Sequence, residues 1–369
     1  MSSADVIIIG GGIAGTSAGA EIAADASVLL LEAEPHLGYH STGRSAAIFI
    51  RNYGNATLRA LNALAVPVLE NPAGIADETL LSPRGELLLA SEAEMGALES
   101  YAAGAEGLDR LTAAEAVALV PILREDRITA AIYENDAQGI DVDRMLQGYA
   151  RLLRSRGGRV VTDAPVTGLT RSGGLWQVTA GSDVHTAPIV INAAGAWAGQ
   201  MGQLAGAVPI TLTPKRRSAA LLPAPDGYET ERWPLFGSVA ETWYAKPDAG
   251  RLMVSPADAD AVEPHDAWPD DMVLAEGLHR YECAVTVPVT RVERSWAGLR
   301  TFAPDATPVV GLDRRAEGFF WLAGQGGYGV QTAPALSQIA AGLLRGEPSV
   351  GPDLLRALSP ERFEGTVHP

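Results

Sequence analysis

The chain of 369 residues has one cysteine, Cys283, so no disulfide can close within it, and nothing in it asks for an oxidising compartment. Only 6 histidines occur, no His/Cys cluster has the spacing of a metal site, and no nucleophile elbow is present. Positive charge is scarce as well. With 28 Lys and Arg against 44 Asp and Glu, the formal charge is −16 and the isoelectric point about 4.8, which argues against a nucleic-acid partner. No apolar run approaches the ~20 residues of a spanning helix, and the N-terminus has no basic region ahead of its short apolar run. These absences lead us to expect a cytoplasmic protein, with peripheral contact at the inner membrane face left open. There is no tandem repeat and no low-complexity linker. What remains is ordinary for a globular chain, 47% hydrophobic and 20% charged, and long enough for a large core in two or three domains.

The most informative stretch comes first. Val6 to Ile9 is a short β-branched run, expected to be a buried parallel strand, and Gly10-Gly11-Gly12-Ile13-Ala14-Gly15 follows it. Gly10 starts a tight turn, Gly12 lets a pyrophosphate approach the backbone, and Gly15 lets the next helix lie close to the strand. The small, apolar residues from Ile13 to Ala23 continue as that helix, whose N-terminus offers free N–H groups to a phosphate. A second apolar strand, Ser27 to Leu31, ends at Glu32 and Ala33. Glu32 stands 22 residues after Gly10, where an acceptor for ribose hydroxyls is expected. Strand, turn, helix, strand and acid together predict a dinucleotide site.

The next stretch, Gly38-Tyr39-His40-Ser41-Thr42-Gly43-Arg44-Ser45-Ala46-Ala47, is rich in hydroxyls and glycine and reads as a second cofactor-gripping loop; a plain surface turn is the alternative. Ile48 to Ile50 is expected as a strand closed by Tyr53 and Gly54. From 55 to 134 the texture changes: a helical repeat through Leu58, Leu61, Leu64, Ala65 and Leu69, a strand around Leu87 to Leu89, and helices over Glu92–Leu108 and Thr112–Val120. The helix Arg144–Ser155, short strands to Thr179, and the apolar strand Ile189 to Asn192 with its turn Ala193-Ala194-Gly195-Ala196-Trp197 return the chain to the first domain. Ile210 to Trp296 reads as an antiparallel sheet with one covering helix, Met272–Ala284, and an alternating segment from Thr286 to Glu293. Finally Phe319 to Ala323, the turn Gly324-Gln325-Gly326-Gly327-Tyr328-Gly329 and a helix from Gln331 to Arg345 repeat the strand–glycine turn–helix logic. Two domains are therefore interleaved.

These stretches together resemble the D-amino-acid oxidase/glycine oxidase type family of FAD-dependent amine oxidoreductases over essentially the whole chain. The supporting motifs include Leu80-Leu81-Ser82-Pro83-Arg84, Pro214-Lys215-Arg216-Arg217-Ser218, Tyr244-Ala245-Lys246-Pro247-Asp248-Ala249-Gly250 and Trp296-Ala297-Gly298-Leu299-Arg300. Within the family the chain looks most like bacterial D-amino-acid dehydrogenases, those acting on D-arginine in particular. The resemblance implies an α/β fold. A Rossmann-like FAD-binding domain (1–50, 135–209 and 300–369) would be interleaved with an α+β substrate domain on a mixed or antiparallel sheet (51–134 and 210–299). It implies non-covalent FAD, which the dinucleotide motif alone does not distinguish from NAD. It also implies hydride transfer from the substrate Cα to flavin N5, hydrolysis of the imino acid to a 2-oxo acid and ammonia, and quinone or oxygen as electron acceptor. A glycine, sarcosine or other secondary-amine oxidase is the alternative.

Such chemistry needs a fixed carboxylate, an uncharged amine and a dry pocket rather than a metal or a nucleophile. By resemblance, Arg300 holds the substrate carboxylate, its planar guanidinium making two parallel bonds. Arg217 is a second pocket arginine, or else part of a solvated basic face. Tyr53 and Tyr244 supply phenols that shape or close the site, with plain core packing as the alternative. Gly326, Gly327, Tyr328 and Gly329, followed by Val330, Gln331 and Thr332, face the flavin N1/C2=O edge, and Gly327 and Gln331 reach the substrate as well. Val166 offers its backbone to the adenine, and His40 gives polar support or a flavin contact. Glu86 is expected near the end of a long basic side chain, with an ordinary surface acid as the alternative. Ile48 and Ile50 make the pocket wall drier than in the arginine-preferring relatives, which predicts broad use of basic and large apolar D-amino acids.

Overall fold

Val6–Ile9 is buried along its whole length and pairs in parallel with Val28–Leu31 on one side and Ile189–Asn192 on the other. The computed structural model that defines this arrangement describes residues 2–363, so the last six residues of the expected FAD-binding domain, 364–369, lie outside the described residues. The sheet runs in the order Arg159–Val161, Val28–Leu31, Val6–Ile9, Ile189–Asn192, Phe319–Ala323, Val309–Leu312, and only the last strand is antiparallel to its neighbour. Side chains alternate across it. Val6, Ile8, Val28 and Leu30 pack under the helices Ile13–Ile22, Ala56–Glu70, Val142–Ser155 and Gly329–Arg345. Ile7, Ile9, Leu29 and Leu31 pack on the opposite face, against Trp176 and Val178 of a four-stranded sheet and Met201 of the helix Ala198–Leu204. Burial on both faces is why these strands read as unbroken apolar runs.

A second, eight-stranded sheet stands beside the first. Its order is Arg294–Phe302, Thr213–Pro223, Arg251–Ser255, Tyr244–Asp248, Leu235–Ser238, Glu86–Ala90, Ala130–Glu134, Leu108–Leu111. All its pairings are antiparallel except Leu235–Ser238 with Glu86–Ala90, where two widely separated stretches of chain meet. One face is apolar: Leu87, Leu89, Ala220, Leu222, Phe236 and Val254 are covered by Ala116 and by Leu274 and Tyr281 of the helix Asp271–Ala284. The opposite face carries the polar residues of the site. A three-stranded sheet of Ile48–Phe49, Gln138–Ile140 and Leu81–Pro83 completes the fold.

Three segments differ from the reading of the sequence. The expected helix Glu92–Leu108 ends at Ala102, because Gly104 and Gly107 take left-handed φ values of 69°, and the chain then forms the edge strand Leu108–Leu111. Thr286 to Glu293 forms no strand: Pro288 has no N–H to give a ladder, and Val287 and Val289 pack into the apolar layer instead. The turn after Asn192 runs on into a helix, Ala198–Leu204, that the sequence pattern does not mark as separate from it.

Candidate active site

The glycine turn is built as its sequence requires. Gly10 has a φ of +107°, and a Cβ there would lie 2.4 Å from the Ala193 carbonyl oxygen. A Cβ on Gly15 would lie 2.0 Å from the Gly10 oxygen, so only glycine lets the helix begin this close to the strand. Gly12 is different. The one atom within 4 Å of its missing Cβ is Thr42 Oγ1 at 3.3 Å, so the space before it is open cavity. The first-turn N–H groups of the helix have no intrahelical acceptor. Ile13 N donates to Thr42 Oγ1 at 3.0 Å, while the Glu32 carboxylate accepts from Gly11 N at 2.6 Å and Glu34 N at 2.9 Å. Glu32 is thus fixed at the end of its strand, facing the cavity.

The hydroxyl-rich loop ties this end to the second sheet. Ser41 Oγ donates to the Leu299 carbonyl at 2.5 Å, and Trp296 Nε1 donates to the Arg44 carbonyl at 3.3 Å. The Arg44 guanidinium donates to the carbonyls of Tyr39, Ala267 and Ala297 and to Asp266, so its donors serve the protein although the residue lines the cavity. No Cβ obstructs this approach, because Gly298 lies under Arg44.

The second wall is one face of the eight-stranded sheet, and its register explains the grouping. Arg300 pairs with Lys215, Arg217 with Gly298, and Ala219 with Trp296. Alternation therefore puts Arg217, Ala219, Trp296, Gly298 and Arg300 on one face, and Tyr244 and Met253 join them through the next strands. Arg217 is 12% exposed, has a buried Nε with no partner, and stands 3.8 Å from Glu241. Thr301 Oγ1 is also buried without a partner. The Arg300 guanidinium lies over Gly327, whose Cβ would be 3.1 Å from Nη1. Burial works against the Arg300 charge, but Tyr53, Tyr244 and Glu241 outweigh it and hold its pKa above the ordinary value. Tyr53 packs on Tyr328 with ring centroids 4.7 Å apart; burial raises its phenol pKa, and Arg300 pulls it partly back.

Most of these groups line one cavity of about 420 Å³; Tyr53, Tyr328 and Glu241 stand behind its lining. Of the expected cofactor residues, Gly10, Gly12, Ile13, Ala14, Glu32, Ala33, Ser41, Thr42, Arg44, Ser45, Ala46, Val166, Ala193, Ala194, Gly195, Trp197, Gly326, Gly327, Gly329 and Val330 line it. His40 lines it too, its Nε2 2.9 Å from Glu34 Oε1. Gly15, Gly43, Ala47, Tyr328, Gln331 and Thr332 stand behind the lining; Thr332 Oγ1, for example, donates to the Tyr328 carbonyl at 2.8 Å. Of the expected substrate residues, Arg217, Tyr244, Arg300 and Gly327 line the cavity. Ile48 lies instead in a separate cleft with Ser82, Arg84 and Lys246. Ile50 is buried against Gln331. Glu86 shares the sheet face of Tyr244 but sits two strands further on, about 10 Å away by strand spacing. It is 6% exposed, accepts from the Tyr101 hydroxyl at 2.9 Å, and pairs across the strands with Glu134. Burial, with the Glu134 charge beside it, pushes its pKa up to about 8. Sequence reasoning missed Met253, Thr301, Trp296 and Glu241. The first and third have a signal only once the sheet register is known. Glu241 shows itself by a left-handed φ of 52° in the turn before Tyr244.

Residues 5–343 match the family described as FAD dependent oxidoreductase (DAO), and the chain belongs to it. FAD is therefore its cofactor. Hydrogen cyanide synthase subunit HcnC of Pseudomonas aeruginosa is 26% identical over 230 residues, which cover 59% of this chain and 52% of that protein. The chain thus spans about half the length of that curated relative. Among solved structures, glycine oxidase from Geobacillus kaustophilus has the same fold, with a TM-score of 0.85, 21% identity and 100% coverage of both chains. Iminodiacetate oxidase from Chelativorans sp. BNC1 gives a TM-score of 0.80 and 24% identity, covering 96% of this chain and 98% of that one. The cavity fits the cofactor. It offers free helix N-terminal N–H groups beside an open Gly12, a fixed carboxylate at Glu32, and a second glycine turn at its far end. Among the described residues, no group of His, Cys, Asp and Glu is arranged to hold a metal ion, and no helix is long and apolar enough to cross a membrane.

Proposed function

We propose that the protein oxidises D-amino acids, both basic and large apolar, to imino acids that hydrolyse to 2-oxo acids and ammonia. In this reading residues 1–50, 135–209 and 300–369 bind FAD, and residues 51–134 and 210–299 bind the substrate. The observation that carries it is the placing of Arg217 and Arg300 on one sheet face, opposite the glycine turn Gly326–Gly329, with a buried Arg217 Nε that has no protein partner. Two guanidinium groups on one wall of the cavity call for an anion there, and a carboxylate matches their fork.

Bound FAD would supply the two-electron acceptor for the substrate Cα–H, at the turn Gly326–Gly329. The protein supplies the rest. Arg300 holds the carboxylate, with Arg217 as a second donor, and fixes Cα against the Gly327 backbone. Tyr53, whose phenol pKa is raised by burial, and Tyr244 offer hydroxyls that donate or accept hydrogen bonds. The amine loses one proton to solvent and Cα loses hydride, so the product carries a C=N bond that water cleaves. The N-terminal end of the helix Gly329–Arg345 favours negative charge developing in front of it. Glu86, two strands beyond Tyr244, would favour a cationic side chain such as that of D-arginine or D-lysine only once ionised, above about pH 8. Ile48 and Ile50 stand outside the cavity lining, so the breadth toward large apolar side chains rests on the family resemblance and not on them. The test is product formation: D-leucine and D-arginine should yield ammonia and the matching 2-oxo acid, and their L-enantiomers should not.

The full-length likeness to glycine oxidase and iminodiacetate oxidase favours a second reading, oxidation of glycine, sarcosine or another secondary amine. In that case glycine or sarcosine would outperform every D-amino acid in the same assay.

A further inference from the structure

Residues 50–53 cross the edge of the site with no strand partner, yet their main chain is not left to water. Asn62, fully buried within the helix Ala56–Glu70, donates through Nδ2 to the carbonyls of Ile50, Arg51 and Tyr53 at 3.3, 3.2 and 3.2 Å. Its Oδ1 accepts from Gln331 Nε2 at 2.7 Å. Gln331 reaches the same segment directly, as Oε1 accepts from Ile50 N at 3.3 Å and Nε2 also lies 3.3 Å from the Ile50 carbonyl. From the other side, the Glu134 carboxylate accepts from Arg51 N and Asn52 Nδ2, both at 2.7 Å. Buried side chains have taken over the bonds a β-ladder would make, which over-determines the course of the backbone.

That segment delivers Tyr53, whose ring packs on Tyr328 beside Arg300. Gln331 belongs to the same helix start as Gly329, one turn from Gly327 under the Arg300 guanidinium. We infer that Asn62 is a positioning residue: it aims Tyr53 at the substrate end and, through Gln331, locks that aim to the turn on which Arg300 rests. The inference rests on the proposed amine oxidation for Tyr53 to have a substrate to meet, but the positioning itself does not. Asn62 touches nothing in the cavity. Its effect on turnover passes through Tyr53.

The test uses the holoenzyme and three variants, Asn62→Ala, Tyr53→Ala and the pair together. Amide hydrogen exchange without substrate should speed up about tenfold or more across residues 50–56 in Asn62→Ala, with the glycine turns and the strands unchanged. KM for the best amine should rise about tenfold while kcat changes less than about twofold. In the Tyr53→Ala background the same substitution should change kcat/KM by less than about twofold, because residues acting as one unit are not additive. Unchanged exchange at 50–56, or the full KM penalty in both backgrounds, overturns the inference. If Asn62→Ala does not fold, Gln331→Leu keeps the three contacts of Asn62 Nδ2 and should give the same pattern at smaller size; no change in exchange there overturns the coupling to Gln331. Failure of every amine to reduce the wild-type flavin would defeat the proposed function instead, and the exchange result would stand apart from it.

Discussion

The two ends of the cavity are made of different material. At the Gly10–Gly15 end, the groups facing the ligand are backbone N–H donors and one fixed carboxylate, and the decisive side chains are the missing ones. At the Arg217–Arg300 end, the cavity is lined by side chains from one face of a mixed sheet, grouped by strand register across four neighbouring strands. The first end has its meaning in consecutive residues. The second has it only in space. A backbone-made site tolerates almost no change in its glycines, whereas a side-chain-made site can be altered residue by residue and so can carry specificity.

The comparison breaks most sharply at Gly12. Gly12→Val puts a branched side chain where only Thr42 Oγ1 stands nearby, so the fold should survive and FAD should be lost almost entirely. Unchanged circular dichroism with a flavin-to-protein ratio reduced about tenfold or more is the expected outcome; full flavin content would contradict it. Gly15→Val, by contrast, should cost the fold as well, since its Cβ has no room against the Gly10 carbonyl.

Next in size is Arg300→Met. A lost charge-assisted bond is worth about 1.5–3 kcal/mol, so kcat/KM should fall roughly 10- to 150-fold for every amino acid tested, with flavin content retained. If only some substrates suffer, Arg300 does not hold the common carboxylate; if flavin is lost too, the two ends are not separable.

Glu86 sharpens the side-chain end further. With a pKa pushed up to about 8, its carboxyl is neutral below that pH and charged above it. The ratio of kcat/KM for D-arginine to that for D-leucine should therefore rise as pH passes through about 8 in the wild type. It should stay flat in Glu86→Leu, which loses activity on D-arginine and D-lysine alone. Equal losses on both classes would make Glu86 structural.

The same carboxyl also bears on stability. A carboxyl whose folded pKa lies above its unfolded value of 4.5 contributes stability that is fully present below about pH 4.5 and is lost as pH rises through about 8. Melting temperature should fall across that window in the wild type and fall less in Glu86→Gln. Parallel curves would show that the carboxyl titrates normally.

The contrast between the two ends also decides what could be read without coordinates. Gly10, Gly12, Gly15 and Glu32 were legible because strand, turn, helix and acid follow one another at fixed spacing, and Gly324 to Gly329 repeated that order. Arg217, Tyr244 and Arg300 were legible only through family resemblance; nothing local separates Arg217 from Arg216, which points the other way to Asp258 and Asp260. Arg44 reads as part of a cofactor-gripping loop because its neighbours are hydroxyls and glycines; that its guanidinium also ties the loop to carbonyls far along the chain has no local signal. Asn62 had no signal at all. A polar residue inside an apolar helix repeat reads as noise until the three carbonyls it serves are brought beside it. The helix expected through Leu108 ends early for a simpler reason: Gly104 and Gly107 take left-handed φ values that stop it.

The central claim is that this cavity passes electrons from a D-amino acid to FAD, and its most direct test is anaerobic. Purified holoenzyme is mixed without oxygen with D-leucine, D-arginine, their L-enantiomers, glycine and sarcosine, and the visible flavin band is followed; admitting air afterwards shows whether oxygen restores it. The account predicts rapid bleaching by both D-amino acids and none by the L-enantiomers. Bleaching by glycine or sarcosine with no response to either D-amino acid would contradict it.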